Sequence, residues 1–151
     1  MRIKVTAIVP KMDDDWPISE KEIKAALSSA GKVVEQTLKR PTGTWSSPVR
    51  FAKKAEDFAV EIYTTDKRFV FVDAGTRPHT ITPKRSPLLA FRSEYVAKTT
   101  PRVPDPRPGR SGGQMVFAKS VQHPGIQARE FTLVARRYGQ KVLSNKLGGK
   151  K

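Results

Sequence analysis

Phe69-Val70-Phe71-Val72-Asp73-Ala74-Gly75-Thr76-Arg77-Pro78-His79-Thr80-Ile81-Thr82-Pro83-Lys84 is the stretch on which the reading of this chain turns. It is answered further on by Phe117-Ala118-Lys119-Ser120-Val121-Gln122-His123-Pro124-Gly125, followed by Ala128-Arg129-Glu130-Phe131. Each is an apolar run that enters a turn built from Gly, Pro and His. Phe69 to Val72 is apolar at every position, which predicts a strand covered on both faces. One cover is expected to be a helix and the other a neighbouring protomer. Just before it, Phe58, Val60 and Ile62 alternate with Ala59, Glu61 and Tyr63. The polar link Thr64-Thr65-Asp66-Lys67 between the two runs predicts a β-hairpin. Gly75 is expected at a sharp exit, because glycine adopts positive φ without a Cβ clash. Pro78 and Pro83 keep Arg77 and Thr82 out of helix. His123-Pro124-Gly125 reads as a second tight turn.

Working outward, the clearest local signal is Ser19-Glu20-Lys21-Glu22, a capping box opening a helix. Ile18 and Ile23 are placed as a hydrophobic staple. Ile23, Leu27, Ala30, Val34 and Leu38 share one face of that helix. Pro41 and Gly43 end it near Arg40. Upstream, Ile3, Val5, Ala7 and Val9 alternate with Lys4 and Thr6, as in a half-buried strand. Pro10 stops it. Asp13, Asp14 and Asp15 lie in an acidic connector that reads as a solvated turn. Thr42 to Arg50 is a loop whose Trp45 is expected to fold back as a lid on the core.

Downstream, Leu88 to Phe91 and Met115 to Ala118 are short apolar runs. Between them lie residues 92–113, with Pro101, Pro104, Pro106 and Pro108. Long loops in compact domains are usually functional, and this one reads as a mobile basic arm or a hairpin extension. A second helix is expected from Ala128, with Phe131, Val134, Ala135, Tyr138 and Val142 on one face. Residues 1–147 thus read as a single domain carrying the arm 92–113, and residues 148–151 as a flexible tail.

Composition narrows the function classes. A chain of 151 residues fits one domain. Its 37% hydrophobic content and 12 prolines predict a modest core with long surface loops. It has no cysteine, hence no disulfide or thiolate metal site. No apolar run has the membrane-helix length of about 18 residues, and the start lacks the apolar stretch of a secretory signal. Use in the cytoplasm, away from membranes, is expected. The formal charge is +15 and uneven. Residues 1–75 hold 13 cations and 11 carboxylates; residues 76–151 hold 16 and 3. That asymmetry favours a polyanion or an acidic protein surface as partner.

Chemistry is thinly signalled. Asp73 with His79 has the residue types of an acid–base pair. Asp73, His79 and His123 have those of a two-histidine, one-carboxylate metal site. Yet no nucleophile stands in a recognisable arrangement, and Ser86 is in no nucleophile elbow. Both histidines flank proline in turns, where a structural hydrogen bond is the simpler role. Gly109 and Gly112-Gly113 form no phosphate-cradling loop. The expectation is a protein with no cofactor, no metal and no catalytic residue.

The order and spacing of these pieces resemble the tail-component family of tailed bacteriophages typified by the gene-10 product of phage HK97. The pieces are Gly75-Thr76, Pro78-His79, Pro83-Lys84, Leu88-Leu89-Ala90-Phe91, Phe117-Ala118-Lys119, His123-Pro124-Gly125 and Phe131. Ile126 stands where the family often has threonine, and the Pro/Arg-rich arm matches no family motif. The resemblance implies an α+β fold: an antiparallel, partly curled β-sheet packed by an N-terminal and a C-terminal helix. It further implies a neck or tail-completion protein at the head–tail junction of the virion, assembled in the host cytoplasm. Such proteins form rings, commonly hexamers, that join connector to tail tube and let phage DNA pass. The partners implied are further copies of the chain and neighbouring neck, connector or tail-tube proteins. Arg77, Lys84, Arg85, Arg102, Arg107, Arg110, Arg136 and Arg137 are the expected interface or DNA-facing residues. Gly75, Thr76, Pro78, His79, His123, Pro124 and Gly125 are expected to act as turns. The alternative expectation is a nucleic-acid-binding protein of a phage or mobile element.

Overall fold

A computed structural model describes residues 3–9 and 18–148. The acidic connector with Asp13, Asp14 and Asp15 and residues 149–151 of the expected tail lie outside the described residues. The elements in chain order are β1 (Ile3–Ile8), α1 (Glu20–Lys39), β2 (Ala52–Glu56), β3 (Ala59–Thr64), α2 (Lys67–Ala74), β4 (His79–Ile81), β5 (Leu89–Val96), β6 (Arg110–Ala118), β7 (Val121–His123) and α3 (Phe131–Leu147). The fold class is α+β, with antiparallel sheets and helices in the N- and C-terminal regions.

The body is a three-stranded sheet in the order β1-β3-β2, with α1 and α3 packed together over one face. Period-two alternation sets the faces. Val5, Val60, Ile62 and Thr64 are buried. Lys4 and Glu61 lie on the opposite face and pair at 3.4 Å. The start of α1 is as expected: the Glu22 amide donates to Ser19 Oγ at 3.4 Å, and the Ser19 amide to Glu22 Oε2 at 3.1 Å. Ile18 and Ile23 are buried together with Val9 and Leu27, completing the staple. The second cluster joins Val5, Val34, Leu38, Ile62, Phe69, Phe131 and Ala135. Trp45 packs against it from the loop after α1. α3 begins at Phe131 and buries Phe131, Val134 and Ala135, but Tyr138 is exposed.

The structure corrects the opening stretch. Phe69 to Val72 is not a strand but the middle of α2. Asp66 is its N-cap, accepting from the Arg68 amide at 2.9 Å and the Phe69 amide at 3.5 Å. Gly75, at φ 76°, ends it. Phe69, Val70 and Asp73 are buried, the i, i+1, i+4 pattern of a helix face. Phe71 is 48% exposed, so the segment is not covered on both sides. Aromatic and β-branched residues favour strands locally. Here the packing of Phe69 against Phe51 and Phe131, at ring distances of 5.1 and 6.1 Å, outweighs that preference. The expected hairpin partner changes too: β3 turns back on β2, which carries no apolar signal and is exposed throughout.

The expected single curled sheet is divided. Beyond the body, β4 pairs with β7 and β5 with β6, each as a two-stranded antiparallel ribbon. The 92–113 segment is a hairpin extension, its strands continuing the Leu88–Phe91 and Met115–Ala118 runs. A bulge near Arg92/Glu94 shifts the register of that ribbon.

Candidate interaction surface

The two sequence motifs meet at the root of the arm formed by residues 76–126. Thr76 and Ile126 exchange both backbone hydrogen bonds, at 2.9 and 3.1 Å. The Ile126 amide also donates to Thr76 Oγ1 at 3.0 Å. The bridge needs glycine on both sides. A Cβ on Gly75 would sit 2.6 Å from the Ile126 carbonyl oxygen, and one on Gly125 would sit 2.2 Å from that of Thr76. Both glycines have positive φ. Gly75-Thr76 and His123-Pro124-Gly125 are therefore two halves of one lock.

The candidate chemical groups are engaged in this scaffold. Asp73 is 5% exposed. Its carboxylate accepts from the Thr132 amide at 3.0 Å and from Thr132 Oγ1 at 2.6 Å. It thereby caps the first turn of α3 from the end of α2, a role an acidic group fills well at a helix N-terminus. His79 and His123 face each other across the β4–β7 ribbon, with ring centroids 5.1 Å apart. His79 Nδ1 lies 2.9 Å from the Arg77 carbonyl, so that nitrogen carries the proton. His123 Nδ1 accepts from the Gly125 amide at 3.0 Å and is therefore unprotonated, leaving Nε2 as the donor. Asp73, His79 and His123 form no joint site: among the described residues no three His, Cys, Asp or Glu side chains come together as metal ligands.

The arm leaves the body at the Thr76–Ile126 bridge, and its tip returns. The Arg102 amide donates to the Arg129 carbonyl at 2.8 Å, and its guanidinium pairs with Glu130. Arg40 meets Asp105 at 3.2 Å, and Lys98 Nζ donates to the Thr44 carbonyl at 3.1 Å. Arg102 and Glu130 are the non-glycine residues of positive φ among the described residues. Each costs free energy in that conformation, and they are bound to one another. The Arg102 guanidinium holds the Glu130 carboxyl below its ordinary range, and Glu130 raises Arg102 in turn.

The eight expected basic residues do not form one patch. Arg77, Lys84 and Arg85 are exposed at the root and outer turn of the arm. Arg102 is taken by Glu130, Arg107 donates to the Ala97 carbonyl at 3.1 Å, and Arg110 pairs with Glu94 at 3.0 Å. Arg136 and Arg137 lie on the exposed face of α3.

Sequence reasoning missed the apolar surface of the arm. In the β5–β6 ribbon, paired residues share a face. Ala90, Arg92, Met115 and Phe117 point one way; Leu89, Phe91, Val116 and Ala118 point the other. Phe117 is 64% exposed and Met115 is 52% exposed. The signal was present as apolar runs without alternation, the pattern of a strand wanted dry on both faces. Tyr95, 76% exposed, lines a groove with Trp45, Arg68, Val72 and Lys98, where the tip meets the body. No helix among the described residues is long and apolar enough to cross a membrane.

No protein-family model, curated protein or solved structure matches the chain.

Proposed function

We propose that this chain is a structural, ring-forming protein. More particularly, we read it as a neck or tail-completion protein of a tailed bacteriophage, acting at the head–tail junction of the virion. In that role a ring of copies, a hexamer by family resemblance, joins connector to tail tube and lets DNA pass. The observation that carries the reading is the arm. It holds large apolar side chains, Phe91, Met115 and Phe117, exposed on a two-stranded ribbon that pairs with no other strand among the described residues. An isolated ribbon is at best marginally stable in water, and exposed apolar patches mark association sites. Asp73, His79 and His123 favour a structural role over a catalytic one, since Asp73 caps α3 and the Nδ1 of each histidine bonds the backbone of its own turn. The order of the motifs supplies the virion context.

Light scattering and negative-stain imaging of the purified protein test the reading, together with its recovery in assembled particles. Rings of defined mass, present in tailed particles, are the expected result. A chain that stays monomeric at every concentration and is absent from particles overturns it. The groove of Trp45, Tyr95, Arg68 and Lys98 favours one second reading, since aromatic and cationic side chains together suit single-stranded nucleic acid. Tight binding to free DNA by the monomer, falling steeply with salt, would support that reading instead.

A further inference from the structure

The cations of the arm fall into two groups. Residues 74–93 and 106–129 contain no Asp or Glu. The carboxylates that border these stretches are engaged: Glu94 pairs with Arg110 at 3.0 Å, Asp105 with Arg40 at 3.2 Å and Glu130 with Arg102, while Asp73 caps α3. Along the β5–β6 ribbon and its tip, Arg92 donates to the Gly113 carbonyl at 3.2 Å and Arg107 to that of Ala97 at 3.1 Å. Arg77, Lys84, Arg85 and Lys119 differ from these. All four are exposed, and no carboxylate among the described residues pairs with them.

The topology gathers the four on one part of the arm. The β4–β7 pairing ends at Ile81 and Val121, and the β5–β6 pairing starts at Leu89 and Ala118. Residues 82–88, with Lys84 and Arg85, therefore lie across from the two-residue link Lys119-Ser120. Arg77 stands before the other end of β4, four residues from Ile81, about 13 Å at the extended rise. Between these ends the ribbon is polar. Thr80 Oγ1 donates to Gln122 Oε1 at 3.1 Å on one face, and His79 faces His123 on the other. The result is a strip with cations at both ends and no acidic residue within it. Crowded cations repel one another, and a polyanion relieves that repulsion.

The strip suits phosphates better than an acidic protein. Protein contacts are anchored by large aromatic or apolar side chains and are poor in lysine. Here the apolar side chains between the charges are Ile81 and Val121, both half-buried. Phosphates are held by Arg, Lys, Ser, Thr and Gln, the residue types that the strip presents.

We infer that this strip is a docking surface for the phosphate backbone of duplex nucleic acid. The contact is independent of sequence, because phosphates carry no base information. A single copy binds weakly, on the order of 10⁻⁴ to 10⁻⁶ M, and copies held together bind more tightly through effective concentration. The inference goes beyond the ring-forming reading and does not require it.

A short labelled duplex of arbitrary sequence, read by fluorescence anisotropy against the full chain over a salt series, tests this. The quadruple variant Arg77→Gln, Lys84→Gln, Arg85→Gln, Lys119→Gln is expected to bind at least about 10-fold more weakly. It should also flatten the slope of log K against log salt by about 3 to 4, at about 0.9 per phosphate contact. A control removes equal charge from exposed helix positions: Lys21→Gln, Lys32→Gln, Arg136→Gln, Lys141→Gln. Its binding is expected within about 3-fold of wild type, since charges beyond a Debye length are screened. Equal losses in the two variants show that net charge alone governs binding and overturn the inference. Both variants should keep the wild-type circular dichroism and melting temperature, as exposed substitutions do. If the quadruple variant melts early, Lys84→Gln and Lys119→Gln made singly carry the test, each flattening the slope by about 1. Polyglutamate that displaces the labelled duplex as well as unlabelled duplex does assigns the strip to an acidic protein and overturns the inference. Loss of binding in Tyr95→Ala assigns the nucleic acid to the Trp45 groove and overturns it too. Rings whose duplex binding the quadruple variant leaves unchanged overturn it while the ring reading stands. Duplex binding through the strip by a chain that never assembles upholds it while the ring reading falls.

Discussion

The body and the arm solve the same problem in opposite ways. In the body, β1 and β3 carry an apolar face, and α1, α3 and α2 close over it with residues such as Leu38, Phe69 and Phe131. In the arm, the β5–β6 ribbon leaves Phe91, Met115 and Phe117 exposed. A side chain of one kind therefore means different things in the two places. Phe69 is a core residue, whereas Phe117 is left 64% exposed. The lesson is that apolar content alone does not locate the core; the partner surface does.

The contrast can be broken at several points. The largest effect is expected from Phe69→Ala, since the ring is fully buried between Phe51 and Phe131. A loss of about 3–5 kcal/mol in urea unfolding is the expected outcome; a loss under about 1 kcal/mol would show that α2 is peripheral. Next is Asp73→Ala, which strips the Thr132 amide and hydroxyl of their acceptor at the join of α2 and α3. About 2 kcal/mol of destabilisation is expected by the same measurement, the scale for partly buried donors left unpaired. Wild-type stability there would reassign Asp73 away from the cap.

Asp66→Ala comes third, at about 1 kcal/mol for a lost N-cap. It also carries a pH signature. The bond from Arg68 holds the native Asp66 carboxyl below its ordinary range. Its contribution is therefore present above the unfolded value of about 3.9 and lost as pH falls through the lower native value. Unfolding followed from pH 6 downwards should show this acid-side slope in the wild type and less of it in Asp66→Ala. Equal slopes would contradict the assignment. The smallest effect on monomer stability belongs to Phe117→Ser, expected within about 0.5 kcal/mol as for other exposed positions. A large loss there would mean that the ribbon is core after all, and the contrast between the two regions would collapse.

Much of the body was legible. Ser19, Glu22, Ile18 and Ile23 announce the start of α1 because a capping box and staple are made of near neighbours. The alternation through Val60 and Ile62 announces β3 for the same local reason. The α2 segment reads as a strand, because Phe69-Val70-Phe71-Val72 has the composition of one; the structure makes Asp66 the N-cap and Gly75 the exit of a helix. β2 was not legible, since Ala52 to Glu56 is a strand only by virtue of pairing with β3. Of the candidate site, the turns at Gly75 and Gly125 could be read, but not their meeting.

By itself the sequence determined the two long helices, the alternating strands and the imbalance of charge. These follow from periodicity, capping and composition, which act over a few residues. Only the tertiary structure decided that Phe69 to Val72 coil into a helix, that Thr76 meets Ile126 and that the basic tip returns to Arg129 and Glu130. Those outcomes depend on contacts between residues far apart in the chain. Their energies, a filled core position or a pair of backbone hydrogen bonds, exceed the small local preferences that the sequence displays.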